Sequence, residues 1–425
     1  MIEKEREVLT RERLLGYFEE AFTPRDRWLL GMEIETMGVD AATGLRIPYD
    51  GRRASVRGCL ELYLERRGGD PVYEGENLIG VDGPWGTITL EPGGQVEWSS
   101  HPYRDLALLG DALDAHLRVL NEAGETLGIR WLDVAMDPTT PIAEVPWMPK
   151  ARYKILRRYL GERGRLAHRM MTQTASIQCA FDFADPEDWR SKFRAAALLA
   201  PVAVALFANS SEADGKPTGY RSFRQAIWRE TDPERCGLPA IVFAPGFGLE
   251  AWLDWVLETP AIFLRRAKGL IPAGGVRFDK LMQRSGCQAV GIDDWELHIS
   301  AIFTEVRSYS YLEVRSADLQ PQATMLAVPA LWTGILYDPE NLSASIDRCS
   351  GHATHQAWSE AMDSAARNGI EGSAGAQPLR ALGARVVSMA IAGLGRHPAH
   401  SGDPERAVEP LLALAERLNL PLGTE

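Results

Sequence analysis

Gly31-Met32-Glu33-Ile34-Glu35 alternates acidic and apolar side chains. In a strand, alternate side chains share a face, so Glu33 and Glu35 project together. Two neighbouring carboxylates repel each other, and a hard divalent cation with oxygen ligands is the usual answer. Polar groups recur at every second position in Thr89-Leu90-Glu91-Pro92-Gly93-Gly94-Gln95-Val96-Glu97-Trp98 and in Tyr311-Leu312-Glu313-Val314-Arg315. An amphipathic strand with a solvated acidic face would account for any one of these segments. Three of them, each with apolar alternates, are read as three strands bringing carboxylates to one site.

Two further segments carry polar side chains suited to binding. Thr172 to Phe183 alternates as a strand with Thr172, Thr174, Ser176 and Gln178 on one side, a face that holds ligands without adding charge. Gly215 to Arg235 reads as a dense loop that mixes glycine, arginine and Trp228. The standard nucleotide-binding glycine motifs are missing, as are H-E-x-x-H and G-x-S-x-G. His352/His355 and His397/His400 are each three apart, but both pairs lie among Gly and Pro and are read as unconnected with metal. Acid-rich strands, a polar strand and a basic loop together suit magnesium-supported phosphoryl transfer onto a carboxylate. Metal neutralises triphosphate charge, and arginines stabilise the transferring group.

The elements that must position these residues follow from periodicity. Leu14, Leu15, Tyr17 and Phe18 predict a helix from about Thr10 to Ala21, stopped at Thr23-Pro24. Asp40 to Pro48 reads as a hairpin or loop, and Cys59 to Leu64 as a helix ended by Arg66-Arg67-Gly68-Gly69. Val72 to Glu97 carries short runs separated by glycines, the pattern of an antiparallel meander. Asp105 to Leu127 is a long amphipathic helix, and Ile129 to Met136 a buried strand. A proline-rich loop through Pro138, Pro141, Pro146 and Pro149 leads to a basic helix around Arg152 to Tyr159, whose charges are read as a solvated face. Asp185-Pro186-Glu187 caps an apolar helix ending at Phe207-Ala208-Asn209-Ser210. From Gln322 onward, apolar helical runs predict a helical C-terminal portion, residues 321–425, packed on a catalytic unit of residues 1–320.

The chain has 425 residues, 45% hydrophobic and 24% charged, with 46 Lys+Arg against 58 Asp+Glu and a net charge of -12. That balance excludes a nucleic-acid-binding surface, which needs clustered basic side chains. Cys59, Cys179, Cys236, Cys287 and Cys349 are odd in number and widely spaced, so neither a disulfide framework nor a zinc site is indicated, and a reducing cytoplasm is the expected home. The charged N-terminus lacks the apolar region of an ordinary signal peptide. The apolar run from Ala195 to Ala208 contains Pro201 and is too short to span a bilayer, so no membrane partner is expected.

Several of these motifs, taken in order, carry a resemblance. Gly31 to Glu35, Leu90 to Glu97, Pro146-Trp147-Met148-Pro149-Lys150-Ala151-Arg152-Tyr153, Arg169-Met170-Met171, Phe207 to Ser210, Gly219-Tyr220-Arg221-Ser222-Phe223-Arg224 with Trp228, and Tyr311 to Arg315 resemble the glutamate–cysteine ligase family of the plant and proteobacterial type. The resemblance runs from about residue 30 to 320. It implies an α+β, glutamine synthetase-like half-barrel of mostly antiparallel strands with outer helices. It implies an enzyme that activates the γ-carboxylate of L-glutamate with ATP, forms γ-glutamyl phosphate, and lets L-cysteine displace phosphate. By the same resemblance Glu33, Glu35, Glu91, Glu97 and Glu313 would hold Mg2+ or Mn2+, and Glu313 and Arg315 would be catalytic. Arg224, Trp228, Thr174 and Gln178 would bind substrate, with Arg221 and Arg235 as further candidates. Partners would be the small-molecule substrates, in a monomer or homodimer. Cys179-Ala180 departs from the family, where Asn commonly stands at the second position. Two alternatives stay open: a family member using another amine or serving ergothioneine synthesis, and a binding protein without turnover.

Overall fold

The computed structural model of the chain describes residues 9–350 and 354–422, so His352 of the first histidine pair lies outside the described residues. Eight strands form one antiparallel sheet: β1 Leu30–Thr36, β2 Asp70–Glu74, β3 Asn77–Gly83, β4 Gly86–Leu90, β5 Val96–Ser100, β6 Ser176–Phe181, β7 Val306–Ser308 and β8 Leu312–Asp318. Their spatial order is β7-β8-β6-β1-β5-β4-β3-β2. β2 to β5 are the expected meander, in which each strand pairs with the next. β1 lies between β5 and β6, and β6 lies between β1 and β8. The acidic strands thereby come together in mid-sheet, although they are far apart in the chain.

Alternation gives the two faces opposite characters. Met32, Ile34, Ile88, Trp98, Ile177, Cys179 and Val314 are buried on the apolar face. The helices include α1 Arg11–Glu19, α2 Val56–Arg67, α3 Leu106–Leu127, α4 Ala151–Gly161, α5 Ala167–Gln173, α6 Pro186–Phe207 and α7 Phe223–Arg229, and, in the C-terminal region, α8 Ala327–Leu336, α9 His355–Asn368 and α10 Leu379–Arg396. α6 packs on β8 and is flanked by α9 and α10, while α8 packs on β6 and α10. Asp185 caps α6 by accepting from the amides of Glu187 and Asp188, both at 2.9 Å, and Pro186 fills the first turn where no amide donor is needed. Thr10, Ser55 and Asp105 cap α1, α2 and α3 in the same way.

Three local expectations change. The expected strand from Ile129 to Met136 is strand only at Ile129–Trp131, which pairs with Gly38–Asp40 outside the main sheet. Beyond it, the amide of Ala135 turns to the carbonyl of Asn209, and Asp137 and the prolines prevent a longer ladder. Thr172 belongs to α5 rather than to a strand, because its hydroxyl bonds back to His168 and the helical ladder runs to Gln173. The dense loop contains α7, started by the Ser222 hydroxyl accepting from the Gln225 amide. Arg224 and Trp228 therefore stand four apart on a helix. His355, His397 and His400 have structural partners: the Leu238 carbonyl, Asp338, and the rings of Trp28 and Tyr337 respectively.

Candidate active site

A cavity of about 330 Å³ opens on the polar face of the sheet. Glu33 and Glu35 reach it from β1 and Glu97 from β5, and Glu91 comes from the turn between β4 and β5. The register sets the acids in rows: Gln178, Glu33 and Ser99 stand opposite one another, and Glu35, Glu97 and Thr89 form the next row. Like charges placed directly opposite, as Glu35 and Glu97 are, destabilise a sheet unless something offsets them. Neutral donors do part of this. Ser176 donates to Glu35 at 2.9 Å, Thr89 to Glu97 at 2.9 Å, and Ser99 to Glu33 at 3.4 Å.

The tight turn Pro92-Gly93-Gly94 joins the two acidic positions of the meander. Gly94 adopts φ +81°, and a side chain on Gly93 would meet the Thr172 carbonyl at 2.2 Å. Glycine is required at the first for its backbone and at the second for close approach. The turn closes by bonds from Glu91 N to Gln95 O and from Gly94 N to Glu91 O, both 2.9 Å.

Cations face the acids. Arg315 donates to Gln178 and lies 3.1 Å from Glu313. Arg307 forks onto both oxygens of Glu313 at 2.6 and 3.1 Å and also reaches the carbonyls of Ser300 and Ile302. Glu313 is thus enclosed between two guanidiniums, whereas the other four acids wall the cavity. Lys150 and Arg152 approach from the start of α4. The Tyr153 hydroxyl donates to the Leu90 carbonyl, Lys150 donates to the same carbonyl at 3.2 Å, and Arg152 donates to Ser300 at 3.0 Å. Trp228, Phe303, Tyr309, Met170, Met171 and Leu160 close the apolar end.

The titrations follow from this placement. Burial pushes Glu97 up to about 8, reinforced by the charges of Glu91 and Glu35, and Glu91 up to about 7, reinforced by Glu35. Glu33 is raised by burial, then by Glu313 and Glu97; Glu35 is raised by burial against the opposing charge of Arg224. Burial would raise Glu313 too, but Arg307 and Arg315 hold it below the ordinary carboxylate range. Lys150 is lowered by burial in spite of Glu91. Four enclosed carboxylates that resist full ionisation are an all-oxygen donor set short of positive charge, which suits a hard divalent cation. Among the described residues, no three His, Cys, Asp or Glu side chains already stand in metal-ligand geometry. The wall has the donor chemistry of a metal site without an assembled coordination sphere.

Of the residues singled out in the sequence, Glu33, Glu35, Glu91, Glu97, Thr174, Gln178, Trp228 and Arg315 wall the cavity together. Arg224 lies behind it, donating at 3.0 Å to the Arg315 carbonyl and sitting 3.6 Å from Asp318. Arg235 is held by Asp232, Tyr159 and two carbonyls, and Arg221 is exposed beside Gly369. Arg307, Lys150 and Arg152 were missed. Lys150 and Arg152 sit on the basic helix read as a solvated face, whose first turn in fact meets the cavity. Arg307 stands opposite Glu313 across the β7–β8 hairpin, and the alternation of Glu305-Val306-Arg307 was its signal.

Comparison with known proteins identifies the family. The family model "Glutamate-cysteine ligase family 2" matches residues 29–418. Glutamate–cysteine ligase B of rice is 38% identical over 348 residues, 81% of this chain and 69% of that one. The tobacco enzyme is 37% identical over 348 residues, 81% of this chain and 66% of the relative, and the Arabidopsis enzyme 36% over 345 residues, 80% and 65%. All three relatives are chloroplastic, which overturns the expectation of a cytoplasmic home. An odd, widely spaced set of cysteines does not choose among cellular compartments. A solved glutamate–cysteine ligase from Francisella tularensis, in complex with AMP, matches 93% of this chain and 83% of its own with a TM-score of 0.54. A bifunctional glutathione synthetase from Pasteurella multocida matches 96% and 50% with a TM-score of 0.51. At 12% and 13% identity these two speak for the fold alone, and it is the expected α+β fold with a large antiparallel sheet. With a family model spanning most of its length and plant relatives above one-third identity, this chain belongs to glutamate-cysteine ligase family 2.

Proposed function

We propose that the chain joins the γ-carboxylate of L-glutamate to the amine of L-cysteine with ATP, through γ-glutamyl phosphate, giving γ-glutamylcysteine, ADP and phosphate. The observation that carries this reading is the pairing of four carboxylates with Arg315, Arg307, Arg152 and Lys150 around one cavity. Such a site accepts an anionic nucleotide and an anionic amino acid together, and phosphoryl transfer is catalysed mainly by positioning and charge.

Glu33, Glu35, Glu91 and Glu97 would hold Mg2+, with Mn2+ as a substitute. The bound metal would neutralise the triphosphate oxygens. Arg315, kept on the cavity wall by Gln178 and Glu313, meets the charge that builds on the transferring phosphoryl group. Glu313 fixes the direction of both Arg307 and Arg315 through charge-assisted bonds. Trp228 and Thr174 flank the glutamate, and Arg224 supports the backbone of Arg315 from behind. Arg152 and Lys150 balance the acids on the α4 side, where a triphosphate would otherwise meet only negative charge.

The test is to trap the intermediate. With ATP, glutamate and Mg2+ but no amine, hydroxylamine should yield the γ-hydroxamate together with ADP and phosphate. Cysteine should then compete with hydroxylamine better than other small amines do. Release of AMP and pyrophosphate would place the chemistry in an adenylating class and overturn the acyl-phosphate route.

A further inference from the structure

A buried ion pair lies outside the cavity wall. Arg46 and Asp137 have side chains with no exposure at all, and Arg46 Nη1 stands 3.9 Å from Asp137 Oδ2. Among the described residues, Arg46 Nε and Nη1 and Asp137 Oδ2 have no hydrogen-bond partner. Among the described residues, the one side-chain hydrogen bond Arg46 makes is from Nη2 to the Gly93 carbonyl, at 2.7 Å. A buried pair this loosely satisfied contributes little to stability compared with apolar side chains of the same size, so stability does not explain it.

Its connections point elsewhere. Gly93 is the centre of the turn that joins Glu91 to Gln95 and Glu97. The rest of that turn is held from the cavity side, where Gln95 bonds Gly93 N at 3.0 Å and the carbonyls of Met171 and Thr174. Arg46 holds the same residue through its carbonyl. Asp137 in turn accepts from the amides of Thr139 and Thr140 at 3.0 and 2.9 Å, while the Thr140 hydroxyl accepts from Arg46 N at 3.2 Å. Gln173 closes the network by donating to the Thr140 carbonyl at 2.7 Å, and its own carbonyl accepts from Asp137 N at 2.9 Å. Gln173 precedes Thr174, which walls the cavity. One buried network thus ties the turn that carries Glu91 to the segment that carries Thr174.

We propose that Arg46, oriented by Asp137, is a positioning residue that fixes the Pro92–Gly94 turn and with it the carboxylate of Glu91 for metal binding. The proposal rests on the reading of Glu91 as a metal ligand. Arg46 does not line the cavity and acts through the Gly93 carbonyl, which its Nη2 meets at 2.7 Å.

The experiment compares wild type with Arg46→Met, Arg46→Lys and Asp137→Asn in the full chain. Amide hydrogen exchange is measured first, without substrate or metal. Arg46→Met should speed exchange at Glu91 and Gly94, whose amides close the turn, by roughly tenfold or more relative to amides of β3 and β6. The Mg2+ concentration for half-maximal turnover should rise roughly tenfold to a hundredfold while KM for cysteine stays within about twofold. Arg46→Lys, which can still donate to Gly93, should recover most of both effects. If Arg46→Met fails to fold, Asp137→Asn keeps the shape and the amide acceptor while removing the charge, and should show the same pattern more weakly. Unchanged turn exchange with an unchanged Mg2+ requirement would overturn the proposal, as would a general loss of protection with kinetic constants intact. A wild-type chain that makes no acyl phosphate would instead refute the functional reading, and the exchange measurement would still decide whether Arg46 holds the turn.

Discussion

Glu97 faces Glu35 across the β1–β5 ladder, and the Thr89 hydroxyl at 2.9 Å and the charge of Lys150 offset it only in part. A carboxyl pushed up to about 8 by burial and by its acidic neighbours is costly to ionise in the metal-free protein. Glu97→Gln should therefore leave the melting temperature in chelator unchanged or raised, while turnover falls by about a hundredfold or more through loss of a metal ligand. A variant that loses turnover because it melts early would refute this account, and so would one that keeps turnover. Glu33, Glu35, Glu97 and Glu313 could be found in the sequence because period-two alternation is a strong local signal, whereas Glu91 stands in the turn and not on a strand. The arginines could not be ranked in the same way. A guanidinium's reach spans several positions, so only the folded chain separates Arg315 on the cavity wall from Arg224 behind it and from Arg235 in a structural cluster.

Among the elements, α7 depends on a partner distant in sequence. Asp318, at the end of β8, accepts from Asn209 N at 2.9 Å, Ser210 Oγ at 2.6 Å and Ser222 Oγ at 3.0 Å, and sits 3.6 Å from Arg224 Nη1. Ser222 is the N-cap of α7, so one buried carboxylate anchors the helix that brings Trp228 to the cavity. Asp318→Asn presents an amide where three donors and a cation converge and removes the carboxylate that pairs with Arg224 at 3.6 Å. The expected cost is about 3–5 kcal/mol, the usual result of breaking a buried pair from one side. Urea unfolding checks it, and a loss below about 1 kcal/mol would sink the anchoring role. α7 was read as a loop because its seven residues are too few for periodicity to register, and the cap that starts it is itself held by a strand some 96 residues away. The longer helices α3 and α6 were legible end to end, since each carries its own cap and stripe.

For the molecule as a whole, pH dependence in the acid range combines two opposing sets of buried groups. His116 is stacked on Trp98 at 4.8 Å between ring centroids and bonded to the Tyr63 hydroxyl at 2.6 Å; burial, then Arg67, lowers it to about 3. His298, stacked on Phe278 at 4.5 Å, is lowered to about 3 by burial, against the bond to the Val256 carbonyl. Unfolded, both return to about 6.5. Between pH 6.5 and about 3 the unfolded chain binds up to two protons that the folded chain refuses. Stability is therefore complete above pH 6.5 and falls as pH drops, by up to about 1.4 kcal/mol per pH unit for each histidine. The acidic wall acts oppositely: Glu91 and Glu97, raised to about 7 and 8, bind protons in the folded chain first, so their contribution grows as pH falls from 8 towards 4.5. Because the two sets overlap, the wild-type profile alone does not isolate the histidines, and a difference measurement does. His116→Gln removes one titration while keeping a polar group beside Tyr63, so its stability relative to wild type should improve steadily from pH 6.5 to 4.5. Denaturant midpoints in chelator at several pH values read this directly, and parallel profiles for the two proteins would show that His116 is protonated as easily inside the fold as outside it.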